Sequence, residues 1–161
     1  MTRVDVELQL AIENLLARYV HALDDDRLEE WPEFFVEDGC YRITTAENFE
    51  RKLPLPIIYA DSRAMLRDRV SALRHANIYE AQRYRHVIAS TLVERQDGQV
   101  VRAVSSFQVL RIMHSGETAL FASGRYLDRI RLTGEGGRPQ FEEKVVVCDS
   151  RRFDTLLAIP L

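Results

Sequence analysis

The amino-acid sequence predicts an α+β fold in which three helices precede a long, strongly curved, mainly antiparallel sheet. Up to about residue 75, apolar side chains recur with helical spacing, whereas from His86 onward they follow the pattern of β-strands. The later segments are joined by short turns, such as Asp97-Gly98, which favour antiparallel pairing of consecutive strands. Because the chain has 161 residues, of which 46% are hydrophobic, we expect one domain spanning residues 1–161.

The first predicted helix covers residues 4–23, because apolar residues recur there every three or four positions. The run Asp24-Asp25-Asp26 ends it, since carboxylates oppose the negative end of a helix dipole. A second helix is expected to be short, because Pro32 is tolerated only near a helix start. Its apolar residues are Leu28, Trp31, Phe34 and Phe35.

Residues 40–45 are rich in aromatic and β-branched side chains and predict a strand, and the stretch around Pro54 and Pro56 predicts a loop or a sheet edge. The third helix is expected to begin with Asp61 as its N-cap. Its predicted buried stripe is Met65, Leu66, Val70 and Leu73, and its predicted solvent face is Arg63, Arg67, Asp68 and Arg74.

Four strands are predicted in the second half, at residues 86–95, 99–113, 117–132 and 141–148. Two of them reach about 15 residues, whereas a usual strand has about five or six, so the sheet must twist and coil. Gly124 is a candidate bulge or bend within the third of these strands. The helices should then cover the concave face of the sheet.

Charge and composition exclude several classes of protein. The 22 basic and 25 acidic residues leave a net charge of −3, which argues against a nucleic-acid partner. The longest runs without Asp, Glu, Lys or Arg have eight residues, and a membrane helix needs about 18, so no membrane association is expected. No secretory signal opens the sequence, and Cys40 and Cys148 are expected to stay reduced, which indicates a cytoplasmic protein.

Motifs for the commonest chemistries are missing from the sequence. Neither cysteine is followed by the histidine that a Rieske [2Fe-2S] cluster needs, and no Walker, GxGxxG, GxSxG or HExxH pattern occurs. His21 has the helical spacing to Asp24 or Asp25 that could give part of a metal triad, but a second histidine would have to come from elsewhere. We therefore predict no metal, cofactor or catalytic residue in this chain.

A weaker pattern of acid–base residues remains. Asp24, Tyr41 and His86 could converge at the mouth of a cavity between helices and sheet, where Asp24 would orient His86 as a general base. The alternative is that His86 is a hydrogen-bonded polar residue in a packed interior. Six aromatic residues are candidates to line that cavity: Tyr19, Trp31, Phe35, Tyr41, Phe107 and Tyr126.

A group of cationic and aromatic residues precedes and enters the sheet. Arginine and tyrosine are enriched at protein interfaces, so this group is a candidate contact surface, although a solvated surface is the alternative. The candidate interface residues are Arg83, Tyr84, Arg85, His86 and Arg125.

Several segments resemble the small (beta) subunit of aromatic-ring-hydroxylating oxygenases. Residues 31–41 are similar to its segment of tryptophan, double phenylalanine, acid, cysteine and tyrosine, and residues 59–74 to its central helix. Residues 83–86 are similar to the Arg-x-Arg-His that opens its first long strand, and residues 159–161 to its carboxyl-terminal tail. One departure is Ser90, where many members carry asparagine.

The resemblance implies an NTF2-like cone and a non-catalytic role. In this family the large (alpha) subunit carries the Rieske [2Fe-2S] cluster and a mononuclear iron, and electrons arrive from NAD(P)H through a reductase. The small subunit holds the large ones in a hexamer of three large and three small subunits, and trimers of the small subunit are therefore expected. Residues 59–85 and 110–117 look most like the small subunits for aromatic carboxylates such as terephthalate, salicylate and anthranilate.

Two other functions fit a cone of this kind. A stand-alone acid–base enzyme, a lyase, isomerase or cyclase, would use Asp24 and His86 in the cavity, with Tyr41 as the proton donor. A module that binds a small apolar ligand would need an open cavity, not one filled by Phe35, Phe107 and Tyr126.

Overall fold

A computed structural model describes residues 5–75, 82–150 and 159–161. Helix α1 (Val6–Asp24) begins after Asp5, whose side chain accepts a hydrogen bond from the backbone N–H of Leu8 at 3.1 Å. It ends at the acidic run as predicted, and its predicted first residue, Val4, lies outside the described residues. The buried residues of α1 recur mainly at the predicted helical spacing, and they are Ile12, Leu15, Leu16, Tyr19, Val20, Ala22 and Leu23.

The second helix is a 3-10 helix (Leu28–Phe34), and Phe35 is not part of it. Phe35 is the first residue of strand β1 (Phe35–Thr45), which therefore starts five residues before the prediction. The stretch between Phe35 and Cys40 contains a register shift and Gly39, where a Cβ atom would lie 2.9 Å from the carbonyl oxygen of Val36. This irregular pairing hid the start of the strand from the sequence pattern.

A short helix that the sequence did not predict, α2 (Ala46–Glu50), follows β1. The Thr45 side chain caps it by accepting a hydrogen bond from the backbone N–H of Asn48 at 3.2 Å. Strand β2 (Ile58–Ala60) then forms one edge of the sheet, which agrees with the proline-rich edge expected there.

Helix α3 (Arg63–His75) starts after Ser62, so the prediction of Asp61 as N-cap is wrong. The Ser62 hydroxyl accepts a hydrogen bond from the backbone N–H of Met65 at 3.2 Å and caps the helix. The predicted exposure of Arg63 and the predicted burial of Met65 are also wrong, because the buried face of α3 is centred on Leu66 and Leu73. Arg63 is only 7% exposed, whereas Met65 is 38% exposed.

The sheet continues with β3 (Gln82–Arg95), β4 (Val100–Met113), β5 (Thr118–Arg131) and β6 (Gln140–Cys148), with a turn of 3-10 helix (Glu135–Gly137) before β6. The strand order is β2-β1-β6-β5-β4-β3. All neighbouring strands pair antiparallel except β1 and β6, which are parallel. Helix α1 packs against β3 and α3 against β1 and the first 3-10 helix, so the predicted α+β architecture is confirmed.

Gly124 is required for close packing and not for a bulge. It pairs in register with Phe107 on β4 and Cys148 on β6, and a Cβ atom there would lie 1.9 Å from the carbonyl oxygen of Val147. Register shifts occur elsewhere, between Ala89 and Leu92 on β3, after Val109 on β4, and after Arg129 on β5. These irregularities accompany the twist of the long strands.

Candidate functional site

The Asp24 and His86 side chains meet where the end of α1 packs on β3. The Nδ1 atom of His86 lies 2.6 Å from Oδ1 of Asp24, and the backbone N–H of His86 donates to Oδ2 of Asp24 at 2.9 Å. Both side chains are inaccessible to solvent, with 0% and 1% exposure. The Nε2 atom of His86 is buried and has no hydrogen-bond partner among the described residues.

Tyr41 does not join this pair. It lies on β1, and three strands separate β1 from the β3 strand that carries His86. Its hydroxyl is instead hydrogen-bonded to the main chain of Leu161, and burial raises its pKa. The structure therefore brings together two of the three predicted acid–base residues.

The six aromatic residues expected to line a cavity fill the space between helices and sheet. Each is at most 1% exposed. Trp31 packs edge-on against Tyr41 at 5.0 Å between ring centroids, and Phe107 stacks on Tyr126 at 4.5 Å. Because these rings contact one another, they form core and not the wall of an open site.

A buried ion pair, which the sequence analysis missed, lies within this aromatic cluster. Nζ of Lys144 is 3.2 Å from both carboxylate oxygens of Asp128 and 3.6 Å from the centroid of the Tyr126 ring, and neither charged side chain reaches solvent. Burial raises the pKa of Asp128 to about 6, although Lys144 opposes that rise, and burial lowers the pKa of Lys144. Side-chain alternation could have predicted the burial of Asp128, because it points to the same face of β5 as the buried Tyr126 and Ile130. Lys144 lies directly opposite Asp128 on β6.

The candidate interface residues divide between the two faces of β3. Arg83 and Arg85 are exposed, as is Arg125 on β5. Tyr84 and His86 point inward and are buried, so their prediction as surface contacts is wrong. Side chains alternate between faces along a strand, which separates these neighbours in sequence.

Other candidate groups remain dispersed. His21 is exposed near the end of α1, whereas Asp24 faces His86. Within residues 5–75, 82–150 and 159–161, no group of three or more His, Cys, Asp or Glu residues could hold a metal ion. Cys40 and Cys148 are free thiols, and burial raises the pKa of Cys148 to about 12. None of the described helices is long and apolar enough to cross a membrane.

Comparison with known proteins gives consistent matches along the chain. The family described as ring hydroxylating beta subunit matches residues 18–155. Subunit beta 1 of the terminal oxygenase component of terephthalate 1,2-dioxygenase from a Comamonas species is 46% identical over 155 residues, covering 96% of this chain and 98% of that protein. The anthranilate 1,2-dioxygenase small subunit of Burkholderia cepacia is 40% identical over 158 residues, covering 98% of this chain and 96% of that protein.

A solved structure agrees with this relationship. It is a crystallised beta subunit, described as that of an aromatic-ring-hydroxylating dioxygenase, from Novosphingobium aromaticivorans. It has 38% sequence identity and a TM-score of 0.89, and the match covers 99% of this chain and 100% of that one. The family match, the two relatives and this structure each span most of the chain, which therefore belongs to the ring-hydroxylating beta subunit family.

Proposed function

We propose that this chain is a non-catalytic small subunit that stabilises the large subunit of an aromatic-ring-hydroxylating oxygenase. It acts as one domain, in the cytoplasm, in a hexamer of three large and three small subunits, with contacts among the small subunits. The large subunit carries the Rieske [2Fe-2S] cluster and the mononuclear iron, and a reductase delivers electrons from NAD(P)H. The chain contributes to the oxidoreductase complex through its contacts with the large subunit and carries no catalytic residue of its own.

The observation that carries this proposal is the filled interior. The Tyr41 hydroxyl is hydrogen-bonded to Leu161, and Phe107 and Tyr126 stack on each other in the space between helices and sheet. A ligand pocket usually encloses about 300 Å³ or more of open space, and rings in direct contact with one another leave no such space between them. The interior therefore supports a role in assembly over a role in binding a small ligand.

The aromatic compound is proposed to be a carboxylate. Terephthalate and anthranilate, which appear in the names of two relatives at 46% and 40% identity, are both aromatic carboxylates. The small subunit itself does not select the substrate in this proposal, so this assignment concerns the complex.

The contact with neighbouring subunits is proposed to include Arg83, Arg85 and Arg125. Their exposed guanidinium groups can form forked hydrogen bonds to carboxylates of a partner. Nη1 of Arg85 also lies 3.8 Å from Oδ2 of Asp24, so Arg85 contacts the buried pair of Asp24 and His86.

Co-expression with the large subunit tests the proposal. We expect the pair to elute as a hexamer by light scattering with all of the iron, and the small subunit alone to be iron-free and inactive. The double variant Arg83→Glu/Arg85→Glu should lose assembly. The control Arg27→Glu/Arg51→Glu, which changes the charge equally at exposed positions elsewhere, should still assemble. Circular dichroism of the isolated variants separates misfolding from lost contacts, and a folded double variant that assembles fully would overturn the interface.

The acid–base enzyme is kept as a second candidate because of the 2.6 Å contact between His86 and Asp24. This pair has the geometry of an oriented general base, but the structure closes it off from solvent. If the isolated chain turned over a substrate, and His86→Ala abolished that turnover without unfolding the chain, the enzyme candidate would replace the assembly role.

A further inference from the structure

The segment of residues 159–161 is bound inside the fold. Leu161 is fully buried and Ile159 is 7% exposed. The main-chain oxygen of Leu161 accepts hydrogen bonds from the hydroxyls of Tyr19, at 2.9 Å, and Tyr41, at 3.1 Å. The backbone N–H of Leu161 donates to the hydroxyl of Tyr41 at 3.0 Å.

The polar groups around Leu161 form a closed set of donors and acceptors. The Tyr41 hydroxyl donates to Leu161 and accepts from it, and the Tyr19 hydroxyl donates to Leu161 and accepts from Nε1 of Trp31 at 3.1 Å. A phenol has one hydrogen to donate, so each hydroxyl uses its hydrogen on the same main-chain oxygen. These hydrogen bonds recognise the main-chain N–H and oxygen of Leu161, and they are more specific for a peptide than apolar packing alone.

Three separate elements build this pocket: Tyr19 comes from α1, Trp31 from the first 3-10 helix and Tyr41 from β1. All three side chains are 0% exposed. Without residues 159–161, the Tyr19 and Tyr41 hydroxyls would lose the main-chain oxygen that accepts from both of them, and buried polar groups are costly to leave unpaired. The pocket therefore favours a peptide that supplies a main-chain oxygen acceptor and an N–H beside a branched apolar side chain.

We propose that the cone carries a recognition site for a short apolar peptide, and that the segment Ile159-Pro160-Leu161 is its ligand, held within the same chain. The pocket formed around Tyr19, Trp31 and Tyr41 would bind the same peptide when it is supplied as a separate molecule. This inference does not depend on a large subunit, so it stands or falls apart from the proposed function.

The test uses a variant that lacks residues 159–161 and the peptide acetyl-Ile-Pro-Leu. Trp31 is the only tryptophan of the chain and hydrogen-bonds to Tyr19 of the pocket, so its fluorescence reports occupancy, and the peptide itself is silent. We expect saturable binding with a dissociation constant between about 10 µM and 1 mM, in line with a ligand of this size. Binding should also raise the melting temperature of the shortened chain.

Two controls make the result specific. The peptide acetyl-Ile-Pro-Gly keeps the backbone but lacks the leucine side chain, and should bind at least tenfold more weakly. Tyr41→Phe in the shortened chain removes both hydrogen bonds of that hydroxyl and should weaken acetyl-Ile-Pro-Leu about tenfold. A folded, shortened chain that does not bind acetyl-Ile-Pro-Leu, or binds all three combinations equally, overturns the proposal.

A second measurement applies if the shortened chain fails to fold with or without peptide. In the full chain, we expect slow hydrogen exchange at the Leu161 amide, and at least tenfold faster exchange in Tyr41→Phe, because that amide donates to the Tyr41 hydroxyl. Exchange at the rate of an unstructured peptide, or exchange unchanged by Tyr41→Phe, would show that the pocket does not recognise the segment.

Discussion

Asp24 binds His86 through both of its carboxylate oxygens, one to the imidazole Nδ1 at 2.6 Å and the other to the backbone N–H at 2.9 Å. These contacts fix the last residue of α1 to β3, 62 positions later in the chain. The pair therefore links the helical layer to the sheet.

Asp24→Asn should lower the free energy of unfolding by about 2 kcal/mol, because an amide can accept only one of the two hydrogen bonds. Asp25→Asn is the matched control: Asp25 is exposed, and its ion-pair partner within the described residues is Arg27, at 3.4 Å, so we expect a change below about 0.5 kcal/mol. Urea denaturation measures both. Equal effects of the two substitutions would contradict a linking role for Asp24.

Lys144→Met should destabilise the chain by about 3–5 kcal/mol at pH 7.5, because it leaves Asp128 buried without its partner. Burial raises the pKa of Asp128 to about 6 while Lys144 is present, and Lys144 opposes that rise. Without Lys144, the pKa of Asp128 should therefore rise further. A carboxyl group whose pKa is higher in the folded state than in the unfolded state, where it is near 3.8, makes the folded protein less stable as the pH rises above 3.8. The destabilisation should therefore shrink as the pH falls towards about 4.5.

Urea titrations at several pH values test this dependence on Lys144. The double variant Asp128→Leu/Lys144→Met should recover most of the lost stability, since it removes both buried charges. Lys52→Met, at an exposed lysine, serves as the control and should have little effect at any pH. A destabilisation by Lys144→Met that is independent of pH would show that Asp128 is not the cause.

Arg63→Lys should cost about 2 kcal/mol of stability. Arg63 is buried and donates from Nε and Nη2 to the carbonyl oxygen of Phe35, at 3.1 and 2.7 Å, while Nη1 lies 3.2 Å from Glu135. A lysine ammonium cannot reproduce this fork. Arg67→Lys on the same helix is the control, because Arg67 is exposed and a lysine can keep its ion pair with Glu33. Thermal denaturation should rank Arg63→Lys clearly below Arg67→Lys.

Gly124→Ala should destabilise by about 3 kcal/mol, because the added methyl group would overlap the Val147 carbonyl at 1.9 Å and force β5 and β6 apart. Gly98→Ala, in the turn between β3 and β4, has no heavy atom within 4 Å of the new Cβ and should be nearly neutral. Chemical denaturation of both variants compares them. A neutral Gly124→Ala would mean that the two strands can separate without cost.

Ser90→Asn should stabilise the chain by about 0.5–1 kcal/mol. Ser90 has a φ of 56°, in the left-handed region that asparagine tolerates better than serine. The resemblance noted from the sequence places asparagine here in many members, and this backbone angle supplies a physical reason. Ser106→Asn, on β4, where φ is not positive, should not stabilise, and a gain at both positions in thermal melts would rule out the backbone explanation.

Strong, regular patterns in the sequence predicted most of the fold. The stripe of α1 and the Asp97-Gly98 turn specify their elements locally, and both are confirmed. The start of β1 could not be predicted in this way, because Phe35 pairs with Phe141 across a register shift, a contact far apart in the chain. The cap of α3 was misplaced by one residue because Asp61 and Ser62 are both good capping residues.

The candidate site was harder to predict than the fold. Once β3 was assigned, side-chain alternation was enough to place Tyr84 and His86 on one face of the strand and the arginines beside them on the other. The sequence correctly placed the aromatic side chains in the interior, but it could not show whether they line an open cavity or fill the core. The binding of Leu161 by Tyr19 and Tyr41 joins residues 142 and 120 positions apart, and no local pattern carries that information.

The strand β3 ends the sheet, so its outer backbone groups would be open to pairing with a strand of another molecule. Two of those groups are already used: the N–H of His86 donates to Asp24, and the carbonyl oxygen of Thr91 accepts from the Gln9 side chain at 2.9 Å. The register shift between Ala89 and Leu92 also breaks the straight ladder that an incoming strand would need. Helix α1 therefore covers part of this edge and makes pairing with a strand of another molecule less favourable.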